Sequence, residues 1–458
     1  MSALARAPTL LLSLLAAVAT PVQARLSTES EPVLSAIDLA QPALLSGPGW
    51  QLQPQVPVLG FMARFTLETP HGAIVADSVE LLEVRAAEMA AIDVLDQVSA
   101  GEAFALAGWE SLEDSGEALL AVVGRPVQTL VDLPAGVLRY FQRQADRWGD
   151  RYDRHRDRIG QRAGNEGDPY DMVGPMNAGR EERAEPRGKR RWWQRAGREG
   201  TRLVKDYAKY GAARRTLARE LGIDPYAATS NPALNARLDR LAWAAAAGSF
   251  GAGQLLGGLP AAGREVLSQA GRLNEVVWEL PPEDLRARNR ELLSRWCGDE
   301  FQLRRLSRHR PFLASVQTRL ADAIDRLQPA SGCEHVLDLA LSAEHEVEAR
   351  FLANALHMAA EFLGPAATGA RLDTVTAALV LDLADGVKVV PLPVDHLSWT
   401  TEARDFFRQP RLSEGARTVL VAGDVSDRAL RELTTLGWEI VVRTPFVGAP
   451  AYPARCCA

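Results

Sequence analysis

The chain has 458 residues, of which 47% are hydrophobic and 24% charged, and its formal net charge is −6. That length allows two to four domains at ~100–200 residues each. The ordinary composition excludes a collagenous or wholly disordered chain. The negative balance gives the whole chain no electrostatic footprint for nucleic acid, and no such partner is expected.

The first 24 residues read as a secretory signal peptide. Arg6 supplies a positive charge, Thr9 to Ala19 (TLLLSLLAAVA) an apolar core too short to span, and Val22 and Ala24 the −3 and −1 positions of a cleavage site. The mature chain then starts near Arg25 and is periplasmic or secreted. No cysteine follows the apolar core, so no lipoprotein anchor is expected. Four cysteines are few for an exported disulfide scaffold. Cys297 and Cys333 bracket two helical arms, about 301–310 and 312–328, divided at Pro311. At ~1.5 Å per residue the arms differ by roughly 10 Å, whereas a disulfide needs Cα atoms within ~7 Å. The spacing therefore disfavours that bridge.

From Trp50 to Ala76 the pattern is strand-like, and Phe61 to Ala76 alternates apolar and polar residues around Pro70-His71-Gly72, which reads as a β-hairpin. A helix follows over 77–100, capped by Asp77 or Ser78 and striped by Val79, Leu82, Ala86 and Met89. Two more helices are predicted, over 101–123 and from Arg125-Pro126 onward. From Gln142 to Arg202 the composition turns to Arg, Gly, Asp and Pro, with 16 basic against 11 acidic residues. Too few aliphatic side chains remain there to offset the entropy of ordering, and 142–200 reads as a largely disordered linker. Its sharpest point is the cluster Lys189, Arg190, Arg191, Trp192 and Trp193. This can meet anionic lipid headgroups at ~1 kcal/mol per basic residue, or simply open the next helix with both tryptophans docked on the core.

Residues 201–367 are predicted all-helical. Leu203, Tyr207, Tyr210, Leu217 and Leu221 form one stripe, ended at Gly222. Asn231 caps a helix with Pro232 at its first position, striped by Leu234, Leu238, Leu241 and Ala245. Further starts fall at Pro281 and Ser342. Leu241 to Gly263 carries no charge and is long enough to span a membrane, but it holds six Gly, eight Ala and one Pro against four Leu. Insertion would gain only roughly 2 kcal/mol. The stretch reads as a buried helix end and a Gly-rich loop. After Gly369 two strands are predicted around Ala384-Asp385-Gly386, then a helix at 400–409. A strand–helix–strand unit over 417–444 should have parallel strands and a right-handed crossover. The fold expectation is mainly α with α+β parts: N-terminal β-hairpin and helices (25–141), linker (142–200), central helical domain (201–367), small C-terminal α/β domain (368–446) and flexible tail (447–458).

Three stretches, Ala213 to Gly248, Glu279 to Leu293 and Gly423 to Trp438, resemble a group of exported bacterial proteins. The likeness covers most of the mature chain outside the linker, and its motifs are caps, turns and stripes. No activity is assigned to that group. The resemblance implies an envelope or secreted protein and carries over no catalytic residue.

No G-x-S-x-G, HExxH, GxxxxGK[ST] or Cys-x-x-Cys occurs. Gly251 to Gly257 misses the dinucleotide-binding spacing by one residue and follows a helix. Asp395-His396 come after a strand, and Asp424 lies just past the strand 417–422, where open parallel sheets bind ligands. Such a set can bind a metal or serve as acid and base, although Asp424 and Ser426 also stand where the next helix needs a cap. His345 and Glu348 have the i, i+3 spacing of helix-bundle metal ligands, with no matching pair elsewhere. Arg350, Asn354, His357 and Glu361 form a polar stripe expected to face solvent. Two functional classes follow. One is a non-catalytic protein that binds an envelope protein or an anionic membrane surface through Lys189–Trp193. The other is a metal-dependent hydrolase using Asp395, His396 and Asp424. No cofactor is expected.

Overall fold

The computed structural model describes residues 28–70, 72–100, 197–226, 231–247 and 275–454. The signal sequence, the helices expected after Ala100, most of the linker including Lys189–Trp193, the stretch 248–263 and Cys456-Cys457 lie outside the described residues.

Strands β1 (Val33–Ser35), β2 (Ser46–Gly47), β3 (Trp50–Leu52), β4 (Gln55–Leu59), β5 (Met62–Thr69) and β6 (Gly72–Asp77) form one antiparallel sheet. The β5–β6 hairpin is the predicted one, with Phe65 opposite Ala76 and Thr69 opposite Gly72. Phe65 and Leu67 face the core while Thr66 and Glu68 face outward, so the period of two is kept. Between β4 and β5 the two turn residues, Gly60 and Phe61, have φ of 62° and 66°, as a tight hairpin turn requires. Phe61 is held in this unusual conformation by Glu31. That carboxylate accepts the amides of Gly60 at 2.9 Å and Phe61 at 2.6 Å.

Helix α1 (Ala36–Leu39) is a single turn, and α2 (Val79–Ala100) starts where expected, with the Ser78 hydroxyl accepting from Leu81 N at 3.0 Å. Helices α3 (Gly197–Glu220) and α4 (Pro232–Ala247) follow. Gly222, with φ of 65°, ends the first, and Asn231 caps the second through Leu234 N at 3.1 Å. Next come α5 (Val276–Glu279), α6 (Pro282–Ser294), α7 (Glu300–Leu306), α8 (Ala314–Leu327), α9 (Cys333–Leu341) and α10 (Glu346–Leu363). The C-terminal part adds β7 (Arg371–Val375), β8 (Ala378–Asp382), β9 (Lys388–Leu392), β10 (His396–Leu397), α11 (Thr401–Phe407), β11 (Arg417–Val421), β12 (Asp424–Val425), α12 (Asp427–Thr435) and β13 (Glu439–Val441). Strand order is β13-β11-β9-β8-β7, with β9, β11 and β13 parallel and β7–β8–β9 antiparallel.

The expectation of a mainly α chain is wrong. The described residues are 49% helix and 20% strand, in several antiparallel and mixed sheets, and the fold is mixed α/β. The strands from β1 to β4 are two to five residues long and are interrupted by Gly49, Pro54 and Gly60, so no alternation could build up over them. The run Thr374–Leu383, read as one strand, contains a fold-back at Thr376 (φ 53°) that divides β7 from β8.

Side-chain alternation places the five-stranded sheet between two cores. Val380, Val390, Val419 and Val421 share one with Phe65, Leu67, Trp399 and Trp438. Leu379, Leu381, Val389 and Leu420 share the other with Leu320, Ile324, Leu352 and Leu356 of α8 and α10. The N-terminal sheet and the C-terminal α/β part therefore bury one continuous apolar interior, although they lie at opposite ends of the sequence. A third core joins Ala91 and Leu95 of α2 to Leu217, Leu234 and Leu238 of α3 and α4. Full burial of each such side chain stabilises by ~1.5–3 kcal/mol. Leu241 and Ala242 are buried there too. Among the described residues no helix is long and apolar enough to cross a membrane.

Cys297 and Cys333 are paired after all, with Cα atoms 5.1 Å apart. The arm-length argument failed because α7 ends at Leu306 and α8 at Leu327, and the chain then turns through Gln328 (φ 45°) and Gly332 (φ 86°) before α9. Those turns return Cys333 to the end of α6. The bridge spans 36 residues, for which chain-entropy arguments give about 4 kcal/mol. Reduction, or Cys297→Ser with Cys333→Ser, is expected to lower the urea unfolding free energy by about 2–4 kcal/mol; an unchanged midpoint would contradict the pairing.

Candidate functional site

Asp395 leaves the end of β9 and is buried. Its Oδ2 accepts Ala63 N at 2.9 Å, its Oδ1 accepts the Tyr452 hydroxyl at 2.8 Å, and Val79 N stands 3.3 Å from both oxygens. These donors come from β5, from the first turn of α2 and from the C-terminal segment, so one carboxylate ties three distant parts together. The backbone repeats the junction: Asp395 N and His396 N each donate to Phe61 O at 3.1 Å. Asp424 N donates to Asp395 O at 3.0 Å. Glycine is required at 423, where a Cβ would fall 2.0 Å from Asp395 O. Burial pushes the Asp395 carboxyl up to about 6, against the lowering effect of its hydrogen bonds, and the nearby Glu80 charge adds to the rise. Burial and the neighbouring Asp395 raise Tyr452 well above its ordinary value of 10.

The sequence placed Asp395, His396 and Asp424 together, and in the backbone they are neighbours, with His396 opposite Asp424 in the parallel β10–β12 pair. The two carboxylates have different partners. Asp424 forks onto Arg443, with Nε to Oδ1 at 2.8 Å and Nη2 to Oδ2 at 3.1 Å. Ser426, not Asp424, caps α12, accepting Ala429 N at 3.0 Å. Among the described residues no group of three or more His, Cys, Asp and Glu is placed to hold a metal ion. Glu348 accepts His345 N at 3.2 Å and so caps α10, which accounts for the i, i+3 spacing without a metal.

The stripe assigned to solvent is a second correction. Asn354 and His357 are buried, and the Arg350 side chain is 11% exposed. With α2 they build a ladder of charges where the three cores meet. Arg85 Nη1 grips Glu88 at 2.9 Å, and Arg85 Nη2 reaches Glu346 at 2.8 Å. Arg350 Nε binds Glu346 at 2.9 Å, Arg350 Nη1 binds Glu80 at 3.0 Å, and Asn354 Nδ2 donates to Glu80 Oε2 at 2.5 Å. Burial alone would raise Glu346, but Arg85 and Arg350 hold it down at about 2. His357 Nε2–H donates to Arg319 O at 2.9 Å, and burial lowers its pKa. Glu80, Arg85, Glu346 and Tyr452 were not singled out from the sequence. A usable signal was present: α10 (EVEARFLANALHMAAEFL) is apolar on nearly every other side, so its polar stripe had little choice but an interior partner.

At one end of the ladder a small pocket, with room for roughly one water, lies between β5, α2, α10 and the C-terminal segment. Glu80, Arg350, Asn354 and Asp395 form its polar floor, and Met62, Val347, Phe351 and Phe446 its apolar walls.

The fold and site define a mixed α/β protein with a disulfide and an internal ladder of ion pairs. No protein-family model, no curated protein and no solved structure matches the chain.

Proposed function

We propose that the chain is an exported, non-catalytic binding protein of the bacterial envelope. It presents the segment Lys189–Trp193 to an envelope protein or to an anionic membrane surface. The observation that carries this reading is the commitment of Asp395. The only deeply buried member of the candidate catalytic set has both oxygens occupied by Ala63, Val79 and Tyr452, and Asp424 is held by Arg443. A hydrolase built on these residues would have to break the junction of three chain segments in order to act. Export is supported by the signal-peptide pattern and by the Cys297–Cys333 pairing, since disulfides persist in oxidising compartments. Co-sedimentation of the full mature chain with anionic vesicles tests the surface role. Binding is expected, weakening with salt and lost when residues 187–195 are deleted. Equal sedimentation of the deletion variant, with vesicles and with envelope fractions, contradicts it.

A further inference from the structure

We infer that the exposed face of α7, with the turn that follows it, is a docking surface for anionic phospholipid. The inference rests on the membrane-surface reading above and adds a second contact, on the folded body, to the segment Lys189–Trp193. Residues 304–310 (RRLSRHR) hold four arginines in seven positions. Helical spacing sorts them. Gln302, Leu303 and Leu306 are buried on the side where α7 packs against α6 and α9. Phe301, Arg304, Arg305 and Arg308 recur at i, i+3, i+4 and i+7 on the other side, with Arg308 N bonded back to Arg305 O at 3.1 Å so that the turn continues. Arg304, Arg305, Arg308 and Arg310 are all exposed, and Phe301 is half-buried. The helix dipole accounts for Arg304 and Arg305, which stand in the last turn; Arg308 and Arg310 lie past it. Arg304 is paired with Glu300 at 3.1 Å. Among the described residues Arg305, Arg308 and Arg310 meet no carboxylate, and Arg305 lies over the Phe301 ring at 5.8 Å. The backbone that carries them is fixed on three sides. Cys297 is bonded to Cys333, Asp299 accepts Phe301 N at 3.0 Å, and His309 Nε2–H donates to Ala343 O at 2.8 Å. Docking therefore need not order this backbone. Three uncompensated cations complement an anionic surface. A ring among them suits the headgroup boundary, where charge and apolar contact are both met, whereas a soluble acidic peptide would use the charges alone.

The test is co-sedimentation of the mature, oxidised chain at low salt with phosphatidylcholine vesicles, with and without phosphatidylglycerol. Wild type should bind the phosphatidylglycerol vesicles alone. Arg305→Ser with Arg308→Ser and Arg310→Ser should weaken that binding about a hundredfold, at about fivefold per basic residue, and leave the melting temperature unchanged. Arg371→Ser with Arg408→Ser and Arg431→Ser removes the same charge at exposed positions elsewhere and should change binding far less. Because Arg305→Ser also uncovers the Phe301 ring, Arg308→Glu with Arg310→Glu serves as a second variant. It leaves α7 itself untouched and should weaken binding at least about twentyfold. Loss of binding on deletion of 187–195, with full affinity in both arginine variants, overturns this inference and leaves the surface-binding reading standing. Equal sedimentation of the deletion variant, with losses in both arginine variants, overturns that role of 187–195 and leaves the inference standing. Equal losses in the α7 and control variants overturn the inference, since general charge would then explain them. A chain that ignores phosphatidylglycerol vesicles but binds soluble poly-glutamate through the same arginines assigns the face to an acidic protein and overturns it as well.

Discussion

Arg350→Met is expected to lower the unfolding free energy at pH 7 by about 3–5 kcal/mol, the range for stranding a buried charge. The guanidinium lies between Glu80 at 3.0 Å and Glu346 at 2.7 Å, with exposures of 6% and 16% for those two side chains. Methionine fills much of the volume but supplies no charge, so both carboxylates lose a partner without gaining water. Removing Glu346 together with Arg350, as a Met/Leu pair, should cost less than Arg350→Met alone, because only Glu80 and no longer Glu346 is then deprived of the guanidinium. Urea titrations of the two variants check this, and additive losses would contradict it. The same rung makes an acid-side prediction. Glu346 is held below its ordinary value of 4.5, at about 2, so the folded chain releases this proton more readily than the unfolded chain. Its stabilising contribution is complete above pH 4.5 and is lost as pH falls toward 2. In Arg350→Met the folded value moves back toward 4.5, so this acid-side loss should be smaller and end at a higher pH.

Asp395→Ala is expected to cost about 3 kcal/mol or more, whereas Asp395→Asn should cost far less. Alanine strands Ala63 N, Val79 N and the Tyr452 hydroxyl in the interior, at ~1–3 kcal/mol for each buried group left unsatisfied. This exceeds the relief of no longer burying a carboxylate. Asparagine keeps an acceptor for the two amides and turns an NH₂ toward Tyr452, whose oxygen can accept it. Equilibrium unfolding distinguishes the two. If Asp395→Ala were as stable as wild type or more so, the residue would belong with the strained acids kept for chemistry rather than for structure.

Much of the local structure was legible because local rules decided it. Asn231-Pro232, the hairpin across Thr69 and Gly72, Gly222 and the strand–helix–strand unit 417–444 each carry their own start or stop signal. The N-terminal sheet was not legible beyond its one hairpin, since strands as short as Ser46–Gly47 are defined by their neighbours and not by their own pattern. The site failed for a similar reason. Asp395 was found, because it follows a strand in an α/β unit, but its partners Ala63, Val79 and Tyr452 are 332, 316 and 57 residues away. Backbone amides carry no sequence signature. The Arg350–Glu361 stripe was misassigned because helical period shows that residues share a face and leaves open whether that face meets water or another helix. The disulfide was missed because helix length was counted where two left-handed turns set the distance.

The central claim is that Asp395 is a buried clamp joining the two ends of the chain. The most direct test is the unfolding free energy of wild type and Asp395→Asn from pH 3.5 to 7. Burial raises this carboxyl from its ordinary 3.8 to about 6, so within that window the folded chain holds more protons than the unfolded one. Its contribution to stability must therefore fall as pH rises through the window and level off above it. At ~1.4 kcal/mol per pH unit the fall is about 3 kcal/mol. The account predicts that Asp395→Asn gains on wild type by about that amount between pH 3.5 and 7, with both proteins fully folded at each end. Parallel profiles, or a wild type that gains on Asp395→Asn as pH rises, would show that Asp395 is not buried against β5, α2 and Tyr452, and the clamp would be disproved.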